Sequence, residues 1–317
     1  MMTEDLWDVR DEWIFTVLWR GTGNFVSALG RTMLAMKVRG LEVDFCKTPT
    51  KSSREADATY GCAQVHAFGH MSDEAGIREE LLRLADETGA DVVVQRKKEW
   101  QAERKLFVFD MDSTLIHGET IDELAKMAGV SDRVMAITAS AMRGEIEFQE
   151  SFRRRVALLA GLPEAKALEV VRRIPLMDGA ERLFRALKKR GAKTAILSGG
   201  FTFLGSVLQQ KLGADYLFAN ELDLADGFVT GDVRGGIVDG ARKAELLVEI
   251  AGREGISLEQ VVAVGDGAND LPMLGLAGMG VAFHAKPVVR ASARYAVSHV
   301  GLDGLLELVR LGEERNA

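Results

Sequence analysis

The chain has 317 residues, a length that favours two domains or one large domain with an insertion. Its composition, 47% hydrophobic and 27% charged, is that of a globular protein and excludes disorder as the main state. The net charge of −7 argues against nucleic acid or an anionic membrane surface as a partner. The two cysteines, Cys46 and Cys62, lack the spacing of a zinc site or a disulfide framework.

The sequence also argues against export and membrane insertion. Residues 1–12 are acidic and lack the basic start and apolar stretch of a secretory signal. The longest apolar runs fall far short of the roughly 18 residues that cross a bilayer. Together with the low cysteine content, these features predict a cytoplasmic protein with no membrane partner.

The first 98 residues alternate between strand and helix patterns. Their order is β-α-β-β-α-β, which is typical of a ferredoxin-like α+β domain. Strands are predicted at 14–19, 41–47, 60–69 and 91–95, a polar loop at 48–58, and helices at 24–38 and 72–87, the second capped by Ser72. The charged residues 99–104 have no apolar face and are interpreted as a linker to a second domain at 105–317.

Short continuous apolar runs mark the strands of the second domain. They are typical of strands buried on both faces of a parallel sheet, and they alternate with helical stretches. The runs lie at 106–109, 194–197, 261–264 and 279–283, with helices at 180–190 and 242–253. This pattern predicts a doubly wound, Rossmann-like α/β core. Between about 120 and 175 only helical periodicity remains, which predicts a helical cap inserted into that core.

Polar residues directly follow three of these predicted strands. They are Asp110 and Asp112 after the first strand, Ser198 and Gly199 after the second, and Asp266, Asn269 and Asp270 after the third, with Lys243 at the start of the preceding helix. Ligands of open α/β sheets bind outside the carboxyl ends of the strands, so these side chains are expected to meet in one site.

The chemistry of this set favours a phosphoryl group beside a metal ion. Converging carboxylates repel one another unless a cation neutralises them, and an all-oxygen ligand set suits Mg²⁺. Ser198, the Gly199 amide and Lys243 can donate hydrogen bonds to phosphate oxygens. The set therefore predicts a phosphate pocket next to a magnesium ion.

Asp110 and Asp112 fit two different chemical roles. A carboxylate with an ordinary pKa near ~3.9 is ionised at neutral pH, so Asp110 can attack phosphorus without a partner base. Ester cleavage also needs a group that protonates the leaving oxygen and later takes a proton from water. Asp112, two residues further along the same loop, is placed to do this.

The order of these residues resembles the four motifs of the haloacid dehalogenase superfamily of phosphatases, Asp110-x-Asp112-x-Thr114, Ser198, Lys243 and Gly265-Asp266-Gly-x-x-Asn269-Asp270. Within the insertion, the segments 119–125 (ETIDELA) and 144–156 (GEIEFQESFRRRV) resemble the phosphoserine phosphatases of that superfamily. The resemblance covers about residues 105–300.

The resemblance implies a role for each matching residue. Asp110 would become the phospho-aspartate, Asp112 the acid and base, and Mg²⁺ would be held by Asp110, Asp266 and the Asp112 main-chain carbonyl. Phosphate would be bound by Ser198, Gly199 and Lys243, with Lys243 also counted as catalytic, while Asn269 would be a polar group of the active site and Asp270 would support the metal ligands. The serine moiety would be surrounded by Glu119, Phe148 and Arg155.

Simpler interpretations exist for several of these residues taken singly. Ser198 could be a helix N-cap and Lys243 a surface lysine, and Glu119 could be an acid favoured at a helix N-terminus. Arg153 and Arg154 are interpreted as a solvated helix face, whereas Arg155 lies seven residues after Phe148 and would share its face. Ser113 and His117 are interpreted as loop residues without a chemical role.

The resulting expectation is a phosphoserine phosphatase that hydrolyses O-phospho-L-serine, the last step of serine biosynthesis, with Mg²⁺ as cofactor. Two alternatives stay open: a phosphotransferase to homoserine or another alcohol, and a non-catalytic amino-acid sensor. The first domain resembles the ACT-type regulatory domains in its order of elements and its Gly21-Thr-Gly-Asn24 turn. A role in packing or in forming a homodimer is the alternative for that domain.

Overall fold

The computed structural model describes residues 11–21, 25–51 and 60–311. The chain divides into two compact units, one formed by Met1–Glu103 with Tyr295–Arg310 and the other by Arg104–Arg294 with Leu311–Ala317. Among the described residues, no helix has the length and apolar character needed to cross a membrane. Residues 22–24 of the predicted Gly21 turn, on which the ACT resemblance partly rests, lie outside the described residues.

The first unit contains a four-stranded antiparallel sheet with two main helices. Its elements are β1 (Glu12–Arg20), α1 (Phe25–Val38), β2 (Glu42–Lys51), β3 (Tyr60–Phe68), α2 (Glu74–Thr88), β4 (Ala90–Arg96) and the short α3 (Lys97–Gln101). The strand order is β2-β3-β1-β4, and β1 pairs antiparallel with both β3 and β4. An apolar core that includes Phe15, Val65 and Ile77 joins the sheet to the helices. The predicted ferredoxin-like α+β fold is confirmed.

Two local predictions in this unit differ from the structure. Helix α2 is capped by Asp73 rather than Ser72, because Asp73 Oδ1 accepts a hydrogen bond of 2.8 Å from the Gly76 N–H. Strand β2 continues to Lys51, where a loop is predicted from residue 48. Its pairing with β3 resumes after a register irregularity, with Thr50 opposite Cys62. An irregularity of this kind interrupts the alternation of apolar and polar residues by which a strand is recognised in the sequence.

The second unit is an α/β core with a helical cap. The cap helices are α4 (Thr120–Ala128), α5 (Ser131–Met142), α6 (Phe148–Ala157) and α7 (Glu164–Arg173). The core elements are β5 (Leu106–Phe109), α8 (Ala180–Lys189), β6 (Lys193–Phe201), α9 (Thr202–Leu212), β7 (Tyr216–Ala225), β8 (Phe228–Arg234), α10 (Gly240–Glu254), β9 (Val261–Gly265), α11 (Leu271–Leu276), β10 (Met279–Phe283) and α12 (Pro287–Ser292). Within this unit the strand order is β10-β9-β5-β6-β7-β8, parallel except between β7 and β8. The predicted Rossmann-like core and helical cap are confirmed.

The β7–β8 hairpin was not predicted from the sequence. Its turn places Asp226 at φ 52° and Gly227 at φ 79°, the pair of left-handed residues that a tight Asp-Gly turn requires. The hairpin also holds the cap, since Val229 O accepts from the Gly161 N–H at 2.8 Å and Val229 N–H donates to Leu162 O at 2.9 Å. The Asp-Gly dipeptide was the signal that could have identified it.

The predicted linker at 99–104 has more structure than its charge pattern indicates. Its first residues belong to α3, where the Trp100 indole N–H donates to the Glu307 carbonyl at 3.2 Å. Its last residue, Arg104, is only 4% exposed and donates to the Glu259 carbonyl. An arginine can bury its apolar stem while its guanidinium donates to a carbonyl. The charged residues of segment 99–104 therefore did not indicate that the segment is exposed to solvent.

Residues 295–310 group with the first unit, whereas the sequence assigned them to the second domain. This segment begins with β11 (Tyr295–Val297). The carboxylate of Asp91, 2% exposed, accepts the backbone N–H groups of Ser298, His299 and Val300 at 2.7, 2.9 and 3.1 Å. One buried carboxylate thus ties residues 298–300 to β4.

Replacing Asp91 by alanine is expected to lower the free energy of unfolding by about 2–4 kcal/mol, because three backbone N–H groups lose a buried charged acceptor. Urea unfolding followed by circular dichroism measures this. Asp91→Asn, which keeps one acceptor oxygen, should lose less. A loss below about 0.5 kcal/mol for Asp91→Ala, the range of ordinary surface substitutions, would contradict the structural role given to this residue.

Candidate active site

Asp110 lies at the carboxyl end of β5, a strand whose four residues are all buried. Its backbone N–H donates to the Val264 carbonyl in β9 at 2.9 Å, and its Oδ1 accepts from the Met111 N–H at 2.7 Å. The same Oδ1 lies 2.6 Å from Lys243 Nζ. These contacts fix the carboxylate at the edge of the sheet, as the strand-end argument predicts.

Lys243 is fully buried in the first turn of α10, so it is not a surface lysine. Its Nζ also contacts Asp270 Oδ1 at 2.7 Å. Burial opposes the charged form, but the adjacent carboxylates of Asp110 and Asp270 together raise the pKa of Lys243 above its ordinary value. The side chain is therefore an ammonium group that faces two carboxylates.

Ser198 and Gly200 shape the backbone at the end of β6. The Ser198 hydroxyl accepts a hydrogen bond of 2.8 Å from the Gly200 N–H, so its own proton is available for a ligand. A Cβ atom on Gly200 would lie 2.5 Å from Asp112 Oδ2, so a side chain here would displace the Asp112 carboxylate. Glycine at this position lets the Asp112 carboxylate approach the strand end. The Oδ1 atom of Asp112 accepts hydrogen bonds from the Thr120 N–H, at 3.0 Å, and from the Thr120 hydroxyl.

Three buried carboxylates, those of Asp110, Asp266 and Asp270, have oxygen atoms within 4.8 Å of one another. Lys243 neutralises one of the three charges, and the remainder favours a divalent cation. Both oxygens of Asp270 are already engaged, by Lys243 and by the Gly267 N–H at 3.0 Å. The donor set therefore fits a metal ion held by Asp110 and Asp266, with Asp270 as a support.

Three carboxylates of the site, those of Asp110, Asp112 and Asp266, have raised pKa values. Burial, and then repulsion from Asp270, raise the pKa of Asp110 well above its usual range, although Lys243 opposes the shift. The raised pKa of Asp110 differs from the ordinary value expected from the sequence, because burial of the carboxyl group disfavours its charged form. Burial, and then repulsion from Glu119, raise the pKa of Asp112 to about 7. Burial, and then repulsion from Asp270, raise the pKa of Asp266 to about 7. A carboxyl group that titrates near neutral pH suits general acid–base catalysis.

The cap contributes a second group of polar side chains. Glu119 occupies the N-cap position of α4 but makes no capping bond with its side chain, which instead accepts a hydrogen bond of 3.0 Å from the Ser113 hydroxyl. Phe148 begins α6, and a Cβ on Gly199 would lie 3.4 Å from its ring. Ser113, interpreted from the sequence as a loop residue, thus lines the same cavity as Glu119 and holds that side chain.

Arg155 differs from its neighbours on α6 as predicted. Arg153 and Arg154 are exposed, and Arg154 pairs with Glu150 on the surface. Arg155 lines a cavity, and burial lowers the pKa of its guanidinium from the ordinary value, although Glu119 opposes the shift. Among the described residues the guanidinium makes no ion pair and donates only to the Ser151 carbonyl, at 3.4 Å.

One cavity of about 740 Å³ brings most of the predicted residues together. Its lining includes Asp110, Asp112, Glu119, Phe148, Arg155, Gly199, Asp266 and Asn269. Ser198, Lys243 and Asp270 are fully buried beside these lining residues. His117 is exposed and does not line the cavity.

Sequence reasoning missed Asn220, which is buried in β7. Its Nδ2 donates to the Gly199 carbonyl at 2.8 Å, and its Oδ1 accepts from the Val238 N–H at 2.9 Å. Asn220 thus links the predicted phosphate loop to the segment before α10. A polar residue inside an apolar strand pattern was its only signal, because its partners come from distant parts of the chain.

The model of the haloacid dehalogenase-like hydrolases matches residues 104–278. The fold and the aspartate pair agree with this match, and the chain belongs to that family. A phosphoserine phosphatase of Archaeoglobus fulgidus is 48% identical over 242 residues, 76% of this chain and 70% of that protein. A phosphoserine phosphatase of Streptomyces coelicolor is 41% identical over 301 residues, 93% of this chain and 72% of that protein.

A solved structure of a substrate-bound phosphoserine phosphatase complex is similar to this chain with a TM-score of 0.63 and 44% identity. It covers 66% of this chain, and the match includes 100% of that structure. Within the haloacid dehalogenase-like hydrolases, the chain is therefore a member of the phosphoserine phosphatase family.

Proposed function

We propose that the protein is a Mg²⁺-dependent phosphoserine phosphatase that hydrolyses O-phospho-L-serine to L-serine and phosphate through a phospho-aspartate on Asp110. One observation carries this proposal: a single cavity holds the Asp110 carboxylate and, in Arg155, a guanidinium without an ion-pair partner among the described residues. The first group suits attack on phosphorus, and the second suits a substrate carboxylate.

The proposed mechanism assigns each phosphate-side residue one task. A carboxylate oxygen of Asp110 forms a bond to phosphorus while the ester P–O bond breaks. The Ser198 hydroxyl, the Gly199 N–H and the Lys243 ammonium hold the phosphoryl oxygens. Asp112 gives a proton to the departing serine oxygen and then takes one from the water that cleaves the phospho-aspartate.

The carboxylates of Asp110 and Asp266, with the main-chain carbonyl of Asp112, would hold Mg²⁺. When bound, the ion would neutralise the charge of these carboxylates and of the phosphoryl oxygens, which would favour the ionised form of Asp110. Asp270 keeps Lys243 in place beside them, at 2.7 Å. The charge balance of the buried cluster supports this assignment.

The cap residues would recognise the amino-acid part of the substrate. The Arg155 guanidinium would bind the α-carboxylate, and Glu119, held by Ser113, would bind the ammonium group. Phe148 would cover the methylene group between them and the phosphate, and Asn269 would bound the cavity on the core side. Two charges of opposite sign at this end match a zwitterion.

Phosphate release from a panel of phosphomonoesters tests this function. O-phospho-L-serine should be the best substrate with Mg²⁺ present, a chelator should abolish turnover, and added Mg²⁺ should restore it. The same assay with homoserine present distinguishes hydrolysis from transfer, because a phosphotransferase would form phosphohomoserine in place of free phosphate. Equal rates for phosphoserine and esters without an amino-acid group would refute the proposed substrate.

Replacing Arg155 by alanine should lower kcat/KM for phosphoserine by about 10- to 150-fold. This corresponds to the loss of one charge-assisted hydrogen bond, roughly 1.5–3 kcal/mol. Hydrolysis of a phosphate ester without a carboxylate should change little. Steady-state kinetics on both substrates measures the difference.

Arg154→Ala is the matched control, because Arg154 is the adjacent residue of α6 and forms only a surface pair with Glu150. Such pairs contribute little to stability, so the control should resemble the parent protein. An equal loss on both substrates for Arg155→Ala would show that Arg155 serves the phosphate or the fold.

The remaining predictions concern partners and location. The first unit supports the resemblance to ACT-type domains only through its ferredoxin-like strand order. Effector binding by that unit, a homodimer formed through it, and a cytoplasmic protein without nucleic-acid or membrane partners remain predictions from the sequence.

A further inference from the structure

One face of α6 points four side chains at the cavity, and the function above uses only two of them. Phe148, Ser151, Phe152 and Arg155 all line the cavity, with the helical spacing i, i+3, i+4 and i+7. Ser151 is 1% exposed, and its hydroxyl has no hydrogen-bond partner among the described residues. A buried hydroxyl without a partner is unusual and needs an explanation.

Four other hydroxyls in helices of this chain are satisfied by their own helix. Thr32, Thr88, Thr138 and Ser292 each donate to the carbonyl four residues earlier, at 2.7–3.1 Å. This bond is the usual choice for a helical hydroxyl. Ser151 does not make it, although the Glu147 carbonyl, four residues earlier, accepts only the Ser151 backbone N–H, at 2.9 Å. Its hydroxyl is therefore free to serve a ligand.

We propose that the Ser151 hydroxyl is a specificity-determining group that donates a hydrogen bond to the substrate α-carboxylate beside Arg155. This inference rests on the proposed function, since it adds a second donor to the same end of the cavity. The Arg155 Nε–H donates to the Ser151 carbonyl, so the guanidinium and the hydroxyl are held one helical turn apart. A carboxylate has two oxygens and can accept from both groups.

The positions of the charged side chains favour the substrate carboxylate, rather than its ammonium group, as the partner of the Ser151 hydroxyl. Glu119, which would bind the ammonium, precedes α4 at its N-cap position and is held by Ser113. Ser151 and Arg155 share one face of α6. A ligand oxygen that reaches the guanidinium therefore also comes next to this hydroxyl.

The proposal predicts opposite effects on stability and on substrate binding. An unsatisfied buried hydroxyl destabilises the free enzyme, so Ser151→Ala should raise Tm by about 1–4 °C. The same substitution should raise KM for O-phospho-L-serine by about 10-fold, with kcat changed less than twofold. A hydroxyl with a purely structural bond would show the reverse effect on Tm.

Substrate analogues separate the two ends of the amino acid. The phosphate ester of 3-hydroxypropionate keeps the carboxylate and lacks the ammonium, whereas O-phosphoethanolamine keeps the ammonium and lacks the carboxylate. Ser151→Ala should raise KM for the first analogue as much as for phosphoserine, and by less than twofold for the second. Ser298→Ala is the matched control, because the Ser298 hydroxyl is also buried without a partner among the described residues and does not line the cavity. It should leave KM unchanged for all three substrates.

The outcomes of this experiment are distinct. An unchanged KM for phosphoserine, an equal loss on all three substrates, or a loss confined to the substrates with an ammonium group would overturn the role of Ser151. If the parent protein hydrolyses other phosphomonoesters but not phosphoserine, the proposed function itself fails. Normal phosphoserine turnover by the parent, with no change in Ser151→Ala, refutes only the further inference.

Discussion

Replacing Asp110 by asparagine is expected to lower kcat for O-phospho-L-serine by about 10⁴-fold or more. The carboxamide is not a nucleophile toward phosphorus, and it also removes a charge that would hold the metal. The protein should stay folded, because asparagine has nearly the same volume and Lys243 keeps its 2.7 Å contact with Asp270. Initial rates of phosphate release, with circular dichroism to check the fold, measure this prediction.

Asp132→Asn is a suitable control for the Asp110 substitution, since Asp132 is exposed on α5 and does not line the cavity. It makes the same chemical change away from the site and should leave kcat unchanged. Mass spectrometry of the quenched parent enzyme should detect a phosphorylated Asp110, and the Asp110→Asn protein should lack it. Turnover within tenfold of the parent would rule out the covalent mechanism.

Asp112→Asn is expected to reduce phosphoserine turnover by about 10²- to 10⁴-fold, the usual contribution of a general acid and base. The asparagine oxygen can still accept from the Thr120 N–H, which Asp112 Oδ1 does at 3.0 Å, so the loop should keep its conformation. The loss should come from proton transfer rather than from binding. Pre-steady-state kinetics measures it.

A leaving group that needs no proton separates the acid role from other effects. With p-nitrophenyl phosphate, Asp112→Asn should form the phospho-enzyme almost as fast as the parent and then hydrolyse it slowly, so that the intermediate accumulates. With phosphoserine, formation itself should be slow. Equal losses in phospho-enzyme formation for both substrates would mean that Asp112 acts on the phosphoryl group or the metal instead.

The positions of the phosphate-side residues could be predicted because they depend on local patterns. A buried strand reads as a continuous apolar run, and the residue after it must lie at the sheet edge. Asp110 and Asp266 were therefore placed correctly before any contact was known. The four-motif order then ruled out simpler interpretations of single residues such as Lys243.

Properties that depend on burial and on distant neighbours could not be predicted. The raised pKa of Asp110 comes mainly from desolvation, which the strand pattern does not measure. The unpartnered hydroxyl of Ser151 can be recognised only when every neighbouring group is known. Asn220 joins Gly199 to Val238 across three segments of chain, and no single segment carries a sign of that bond.

Because residues 295–310 belong to the first unit, that unit can be completed only late in the synthesis of the chain. A ribosome releases the chain from its amino end, and domains usually fold in that order as they emerge. Here Ser298, His299 and Val300, which bond to Asp91, are more than 200 residues later in the chain. The amino-terminal unit therefore cannot complete its hydrogen bonds until residue 300 has been synthesised, and nascent chains stalled before residue 295 should expose this unit to proteolysis.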